Sequence, residues 1–275
     1  MGVMDSPPCA SRVFSVTIAS APGRARRLSP LACLVACVTA SVADADAGRD
    51  QLRVIVQQQC LPHWTRAHDP SPCISVRTLD DGSVDHGLVP EGFAVLQDRK
   101  GGAHFLLIPT RTITGIESPE VRGVRALNFF AAAWEARYVL VGAVGHAVPR
   151  SAVGMAVNQH RARSQDQLHI HLSCLSREVH DALQSRAQEL SQGWSTVAID
   201  GARYEALRIM GSELGASNPF ELLAARLADA GHTMDEYTVL VAGMQFEQGP
   251  GFAVLAGRSV PGAELLLDPA CALAR

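Results

Sequence analysis

Aromatic residues are scarce, at 5% of the 275 positions, and neither sign of charge is in excess, since 24 Lys and Arg stand against 27 Asp and Glu for a net charge of −3. A general nucleic-acid binder shows a basic stripe with interleaved aromatic residues, so this balance argues against that class. Any anionic ligand must therefore be held by local groups. With 47% hydrophobic residues, the chain has ample material for the core of one globular unit or of two small ones.

Residues 1–47 lack the pattern of a folded domain. Three arginines at residues 24–27 precede an apolar run of about 16 residues, 28–43, and small residues follow it. This order is typical of an export signal or a short membrane anchor. The run falls short of the roughly 17 to 25 residues of a full span, and LVAC, which ends at Cys37, resembles a lipid-attachment site. A cleaved signal and an anchored terminus both stay open, and we expect the folded domain at residues 48–275.

Four cysteines fall in the predicted domain: Cys60, Cys73, Cys174 and Cys271. An even number in an exported protein suggests two disulfides, for which three connectivities exist. We favour Cys60 with Cys73, which would staple a Pro-rich segment, and Cys174 with Cys271, which would tether the C-terminal tail. The alternative for Cys174 is a buried free thiol.

The most informative stretch reads NQHRARSQDQLHIHLSC and covers residues 158–174. In it Gln167, His169 and His171 alternate with leucine and isoleucine. Strict alternation predicts a strand with one buried face and one wet face, so the three polar side chains point the same way. We call these three residues the polar row.

Three interpretations of the polar row compete. The histidines can simply lie on a solvated sheet face, because short motifs are weak evidence of function. They can bind zinc, but a catalytic zinc needs a third protein ligand, and Cys174 has the wrong parity while no Asp or Glu shares the row's face. The third interpretation is attack on phosphorus by a neutral imidazole.

The polar loop directly before the row favours this third interpretation. It carries amide, hydroxyl and guanidinium groups: Asn158, Arg161, Arg163, Ser164 and Gln165. Donors of these kinds stabilise the equatorial oxygens of a phosphoryl transition state. Phosphoryl chemistry at the polar row is therefore the hypothesis that the residues support best.

These segments also carry a family resemblance. The stretch at 158–174 resembles the histidine triad superfamily, whose motif is His-x-His-x-His with apolar residues between, preceded by an Asn and a Gly/Ser-rich loop. Together with FLLIPTRTITGIESP at 105–119 and NFFAAAWEAR at 128–137, it is more closely similar to the bacterial CDP-diacylglycerol pyrophosphatases, from about Leu52 to the C-terminus. Gln167 departs from the motif, which has a histidine at that position.

The resemblance implies an α+β fold, with a histidine-triad-like antiparallel sheet and flanking helices. It also implies hydrolysis of CDP-diacylglycerol to CMP and phosphatidate. His169 would be the nucleophile, His171 would act on the departing side, and Gln167 would replace the first histidine. The residues implied in phosphate binding are Asn158, Ser164, Gln165 and Arg163.

The same resemblance implies that no metal or cofactor takes part. The implied partners are the nucleotide lipid and a membrane surface, without nucleic acid, at the periplasmic face of a bacterial inner membrane. Two other functions stay open: chemistry on soluble nucleotide diphosphates, and non-catalytic binding of a nucleotide or of zinc.

Local signals predict the other elements. Hairpins are expected at 92–109 and 237–258, and strands on both sides of Gly201. Helices are expected from Asp50, over 128–145 as one long helix, from Ser176, and from Asn218 with Gly231 as its stop.

A short repeat raises one further alternative. GFAVL occurs at 92–96 and again at 251–255. Coincidence among common residues explains it most simply, but a degenerate second triad-like half at the C-terminus would also produce it.

Overall fold

The computed structural model describes residues 48–79, 89–123, 126–199, 201–215, 217–228 and 230–275. They form an α+β fold in which helices pack on one large antiparallel sheet, as predicted. The predicted export or anchor segment lies outside the described residues. Among the described helices, none is long and apolar enough to cross a membrane.

The sheet has ten strands in the described part of the chain. Their bounds are β1 (Ser75–Thr78), β2 (Gly92–Gln97), β3 (Phe105–Pro109), β4 (Val153–Val157), β5 (Ile170–Leu175), β6 (Ser195–Ile199), β7 (Ala202–Met210), β8 (Tyr237–Phe246), β9 (Gly249–Arg258) and β10 (Leu267–Asp268). Neighbours follow the order β1-β2-β3-β5-β4-β8-β9-β7-β6, and β10 pairs with β5 next to the end of β3. The predicted hairpins and the strands around Gly201 are confirmed.

β4 and β8 join the two halves of the sheet, with Gly154 opposite Ala242. The two GFAVL copies occupy different places in it, because β2 is second from one edge and β9 is third from the other. The C-terminal strands therefore extend the sheet, but the repeat gives no support to a duplicated half.

The helices are short and lie before β1 or between strands. They are α1 (Gln51–Ile55), which continues through a π-helical turn (Val56–Cys60) into α2 (Leu61–Ala67), and then α3 (Phe129–Glu135), α4 (Tyr138–Val144), α5 (Arg177–Ser185) and α6 (Pro219–Ala228). We call the continuous run 51–67 the N-terminal helix. The predicted caps at Ser176 and Asn218 are confirmed, since Ser176 Oγ accepts from the Val179 N–H at 3.3 Å and Asn218 Oδ1 accepts from the Phe220 N–H at 3.1 Å.

The prediction of one long helix over 128–145 is wrong. The chain breaks between α3 and α4 because the Arg137 N–H bonds the Trp134 carbonyl, three residues back, at 3.3 Å. The Arg137 guanidinium donates to the same carbonyl at 2.5 Å. That carbonyl is thus no longer available to continue a regular helix. The predicted end at Gly145 is confirmed, with φ 85°.

Apolar side chains cover the two faces of the sheet differently. On the first face one continuous cluster packs Ile170 and Leu172 of β5 against α3, α4 and α6. On the second face there are two separate clusters. One joins the N-terminal helix to Leu106 and Ile108 of β3, and the other joins α5 to β8 and β9.

The polar row faces the gap between these two clusters. His171 stands opposite Leu106 of β3 and Ala156 of β4, and residues opposite each other in a sheet share a face. Leu106 belongs to one cluster and Ala156 to the other. The fold therefore places His169 and His171 at the floor of a cleft on the second face.

Two disulfides join Cys60 to Cys73 and Cys174 to Cys271. Both favoured pairings are confirmed. The second one fixes the C-terminal tail to β5, beside the pairing of β10 with the same strand.

Candidate active site

The cleft on the second face holds a cavity of about 170 Å³. Five residues singled out in the sequence line it: Asn158, Ser164, Gln165, His169 and His171. Gln167 and Arg163 lie outside this lining. A larger and more open depression of about 570 Å³ lies beside α6, but the polar row does not line it. The chemistry predicted from the sequence therefore belongs to the smaller cavity.

The polar row is less exposed than the alternation predicted. β5 begins only at Ile170, and the relative exposures of Gln167, His169 and His171 are 0%, 7% and 3%. The predicted wet face is wrong, because the N-terminal helix on one side and the Ala263–Leu266 turn on the other enclose the cleft. His169 and His171 still line the cavity, so a ligand there can reach both rings.

His169 is held as a neutral imidazole in one tautomer. Its Nδ1 lies 2.7 Å from the backbone carbonyl of Gln167, and because a carbonyl only accepts, Nδ1 carries the proton. Nε2 then keeps its lone pair. Burial, together with the nearby His171, lowers the pKa of His169 to about 4, so the ring is neutral at pH 7.

His171 lies between a second histidine and a carboxylate. Its Nδ1 is 3.0 Å from Nε2 of His104, and its Nε2 is 3.0 Å from Oε2 of Glu264. Burial, with a smaller effect from His171, lowers the pKa of His104 to about 4. The contact with His171 is the largest cause that lowers the pKa of Glu264, to about 2. At neutral pH the Glu264 carboxylate is therefore charged.

Gln167 ties the start of β5 to the end of β3. Its side-chain amide donates to the carbonyls of Pro109 and Arg111, at 3.0 and 2.8 Å. These bonds fix the backbone carbonyl that accepts from His169. The Gln167 amide therefore lies behind His169 and does not line the cavity.

The polar loop is clamped by ion pairs. Arg163, whose side chain is only 3% exposed, bonds Glu117 at 2.8 Å and Asp166 at 3.1 Å. Asp166 also takes two bonds from Arg49, at 2.6 and 2.9 Å, and the contact with Arg49 is the largest cause that lowers its pKa, to about 2. The positive charge of Arg163 is therefore already balanced within the protein.

The same loop is bonded to the start of the N-terminal helix. Gln165 accepts from the Leu52 N–H at 3.0 Å and donates to the Gly48 carbonyl at 2.7 Å. Ser164 and Asn158 remain at the cavity wall, and Asn158 bonds Glu264. The loop, the helix and the C-terminal turn thus form one connected rim.

Three residues at the cavity could hold a metal ion. Ligand atoms of Asp98, His104 and His171 lie within 4.8 Å of one another. Two imidazoles and a carboxylate are donors that suit zinc, so the third ligand missing from the sequence pattern comes from the β2–β3 turn. An ion here would have to replace the hydrogen bond between the two histidines.

Sequence reasoning missed His104 and Glu264. His104 stands directly before β3, and the apolar run that follows it was interpreted only as a hairpin strand. Glu264 lies far along the chain in a short 3₁₀ turn. No local pattern marks either residue, since their place depends on strand pairing and on the disulfide of the tail.

Comparison with known proteins identifies the family of this chain. The CDP-diacylglycerol pyrophosphatase family pattern matches residues 47–275. A protein of Yersinia pestis named CDP-diacylglycerol pyrophosphatase is 38% identical over 197 residues, which are 71% of this chain and 72% of that protein. The match to the family spans the N-terminal helix, the polar row and the C-terminal turn. The chain therefore belongs to the CDP-diacylglycerol pyrophosphatase family.

Proposed function

We propose that this protein hydrolyses CDP-diacylglycerol to CMP and phosphatidate through an intermediate in which the cytidylyl group is bound to His169. Membership of the family supports the substrate and the overall reaction. The observation that supports the covalent step is the tautomer of His169, whose Nδ1 is bonded to the Gln167 carbonyl while its ring lines the cavity. A neutral imidazole with a free Nε2 is the form that attacks phosphorus.

In the first step Nε2 attacks the phosphorus that carries cytidine. The bond from this phosphorus to the bridging oxygen breaks, and phosphatidate leaves with the bonding electron pair. In the second step water attacks the same phosphorus, the P–N bond breaks, and CMP leaves. His169 is then again neutral.

Residues of the cavity wall are candidates to bind the negatively charged oxygens of the substrate and of the leaving group. Asn158, Ser164, Arg99 and Lys100 line the cavity. Asn158 and Ser164 would donate to non-bridging oxygens, and Arg99 and Lys100 would supply positive charge. His171 faces the departing phosphate. Gln165, which is already bonded to Gly48 and Leu52, would shape the loop.

In this proposal Gln167 and Arg163 act indirectly, by holding other residues of the site in position. Gln167 would hold the carbonyl that fixes His169. Arg163 would hold the loop through Asp166 and Glu117. Neither would contact phosphate directly.

An apolar part of the cavity supports a lipid as the second half of the substrate. Leu52 and Ile55 of the N-terminal helix and Leu96 and Leu106 of the β2–β3 hairpin all line it. Glycerol and the first acyl carbons would gain free energy by burial there. CDP-diacylglycerol should therefore have a higher kcat/KM than the water-soluble CDP-glycerol. Ile55→Ser should lower the ratio of these two kcat/KM values, because it removes an apolar side chain from the cavity wall.

The test of the reaction is hydrolysis by the purified protein, with CMP and phosphatidate measured separately. His169→Ala should remove turnover while thermal unfolding still shows a folded protein. His146→Ala, at an exposed histidine outside the cavity lining, is the matched control. Wild-type hydrolysis by His169→Ala would show that the nucleophile is another group.

Location is part of the same proposal. Residues 1–47 would deliver the domain to the periplasmic face of a bacterial inner membrane, and two disulfides suit an oxidising compartment. Fractionation of cells that express the full chain tests this, together with palmitate labelling of wild type and Cys37→Ala. Recovery in the cytoplasm with free thiols would contradict it.

A second candidate function rests on the cluster of Asp98, His104 and His171. If this cluster held a zinc ion required for function, chelation would remove activity and zinc would restore it. In the proposed mechanism the same treatment leaves turnover unchanged.

A further inference from the structure

The cavity is too small to enclose a whole molecule of CDP-diacylglycerol. Its volume is about 170 Å³, whereas pockets that enclose a drug-sized ligand have roughly 300 to 1,000 Å³. The two acyl chains must therefore stay largely outside the cavity. Because exposure of acyl chains to water is unfavourable, they remain in a bilayer while the diphosphate reaches His169. The surface around the cavity mouth then has to lie against that bilayer.

Leu265 stands at this mouth. It is the most exposed large apolar side chain in the part of the chain that the structure describes, at 67%, and it directly follows Glu264, which lines the cavity. Its turn is held in place, because the Gln159 amide donates to the Val260 carbonyl at 2.6 Å and β10 pairs with β5. Single exposed leucines are common, so the meaning of Leu265 depends on its neighbours.

The neighbours are exposed cations. Arg99 and Lys100 line the cavity, and Arg161 directly precedes Ala162, which also lines it. Among the described residues, the side chains of Arg99 and Arg161 have no ion-pair or hydrogen-bond partner. The side chain of Lys100 is 64% exposed and lies 3.6 Å from Glu264. We call Leu265 and these three cations the outer rim.

The acidic groups of the cavity lie deeper than the cations. Asp98 and Glu264 both line the cavity, but Asp98 is half-buried and the side chain of Glu264 is only 25% exposed. The outermost charges at the mouth are therefore positive. A surface that combines exposed cations with an apolar side chain is complementary to an anionic phospholipid bilayer.

We propose that the outer rim is a membrane-docking surface. Leu265 enters the headgroup layer of an anionic phospholipid bilayer, the three cations bind lipid phosphates, and CDP-diacylglycerol is hydrolysed while its acyl chains remain in the bilayer. This inference rests on the proposed function, from which it takes the substrate. It is separate from any anchor in residues 1–47, because an anchor keeps the domain near the membrane whereas the outer rim sets its orientation.

The first test locates position 265 relative to the bilayer. Full-length Leu265→Trp and Tyr138→Trp are mixed with phosphatidylglycerol vesicles whose acyl chains carry bromine, which quenches tryptophan fluorescence on contact. Tyr138 is the matched control, since it is 58% exposed on α4, which packs on the first face of the sheet. After subtraction of the wild-type signal, quenching should appear for Leu265→Trp and not for Tyr138→Trp. No quenching at position 265, or equal quenching in both variants, would overturn the proposal.

The second test measures what Leu265 contributes to turnover. The ratio of kcat/KM for CDP-diacylglycerol in phosphatidylglycerol vesicles to kcat/KM for CDP-glycerol should fall roughly 10-fold in Leu265→Ser, the equivalent of one buried leucine side chain. Tyr138→Ser should keep the wild-type ratio. An unchanged ratio in Leu265→Ser, with both activities lowered equally, would show that Leu265 shapes the cavity and would overturn docking.

The third test concerns the cations. Arg161→Gln should lower turnover in phosphatidylglycerol vesicles relative to phosphatidylcholine vesicles about 5-fold, and high salt should produce the same loss in the wild type. Arg203→Gln, at an exposed position on β7 outside the cavity lining, should match the wild type. The same turnover by Arg161→Gln and wild type in phosphatidylglycerol vesicles would overturn the contact with anionic lipid.

Failure of the proposed function gives a different result. Absence of CMP release from every form of the substrate would refute the reaction itself. Bromine quenching at position 265 needs no turnover, so it tests the docking surface independently.

Discussion

Lowering the pH from 7 to 4 should destabilise the protein through His169. Its pKa is about 4 in the folded protein and about 6.5 in an unfolded chain. Because the folded value is the lower one, the unfolded state binds the proton more readily. The associated stability is fully present above pH 6.5 and is lost as the pH falls towards 4. By linkage, this shift lowers the free energy of unfolding at pH 4 by about 3 kcal/mol relative to its value at pH 7.

Urea unfolding at pH 7 and at pH 4 measures the total loss, to which His104, whose pKa is also about 4, contributes in the same pH range; the contribution of His169 is the part that a variant of this residue removes. His169→Gln cannot titrate, so it should lose about 3 kcal/mol less than wild type between the two pH values. His146→Gln, at an exposed site, should behave like wild type. The depressed carboxyl pKa values of Glu264 and Asp166, both about 2, act mainly below pH 4.5 and leave the comparison intact. Equal losses in wild type and His169→Gln would refute the buried, neutral state of this ring.

Three further predictions concern the surroundings of the site. Cys271→Ser opens a disulfide with a sequence separation of 97; it should lower the unfolding free energy by about 2 to 5 kcal/mol and also lower kcat, since the tail carrying Glu264 is released. Urea unfolding and hydrolysis assays check both, and an unchanged stability would contradict the first. Asp166→Asn weakens the clamp with Arg49 and should lower kcat/KM roughly 10- to 100-fold through misplacement of the loop; wild-type kinetics would show that the loop does not depend on it. EDTA should leave turnover unchanged and added zinc should inhibit it, with Asp98→Ala relieving that inhibition; loss of activity in EDTA, restored by zinc, would favour a catalytic metal.

Much of the fold follows from local signals in the sequence. Gly101 and Gly102, both with positive φ, mark the β2–β3 turn, and the caps at Ser176 and Asn218 mark helix starts. These features depend on neighbouring residues, so a single sequence displays them. The two disulfides were also predicted, because four cysteines in the expected domain allow only three connectivities.

The two errors in the predicted structure have different causes. Alternation around His169 and His171 correctly gave a shared face, but it could not show that the N-terminal helix and the Ala263–Leu266 turn enclose that face. A continuous apolar pattern over 128–145 likewise hid the break at Arg137. In the first case tertiary contacts override a local period, whereas in the second the helix ends through hydrogen bonds from Arg137 to the carbonyl three residues back.

The site was predicted in part for the same reason. Asn158, Ser164 and His169 were found from their spacing, and they meet at the cavity. His104 and Glu264 come from a hairpin and from the C-terminal tail, and strand pairing together with the disulfide of the tail brings them to His171. Such residues become visible only when the register of the strands is known.

The most direct test of the covalent mechanism is to trap the intermediate. CDP-diacylglycerol labelled in the phosphate next to cytidine is mixed with the enzyme, the reaction is quenched in alkali, and the labelled residue is found by peptide mapping. The proposed mechanism predicts label on His169, stable to base and released by acid, and none in His169→Ala. Turnover without any protein-bound label, or label on another residue in the wild type, would contradict it.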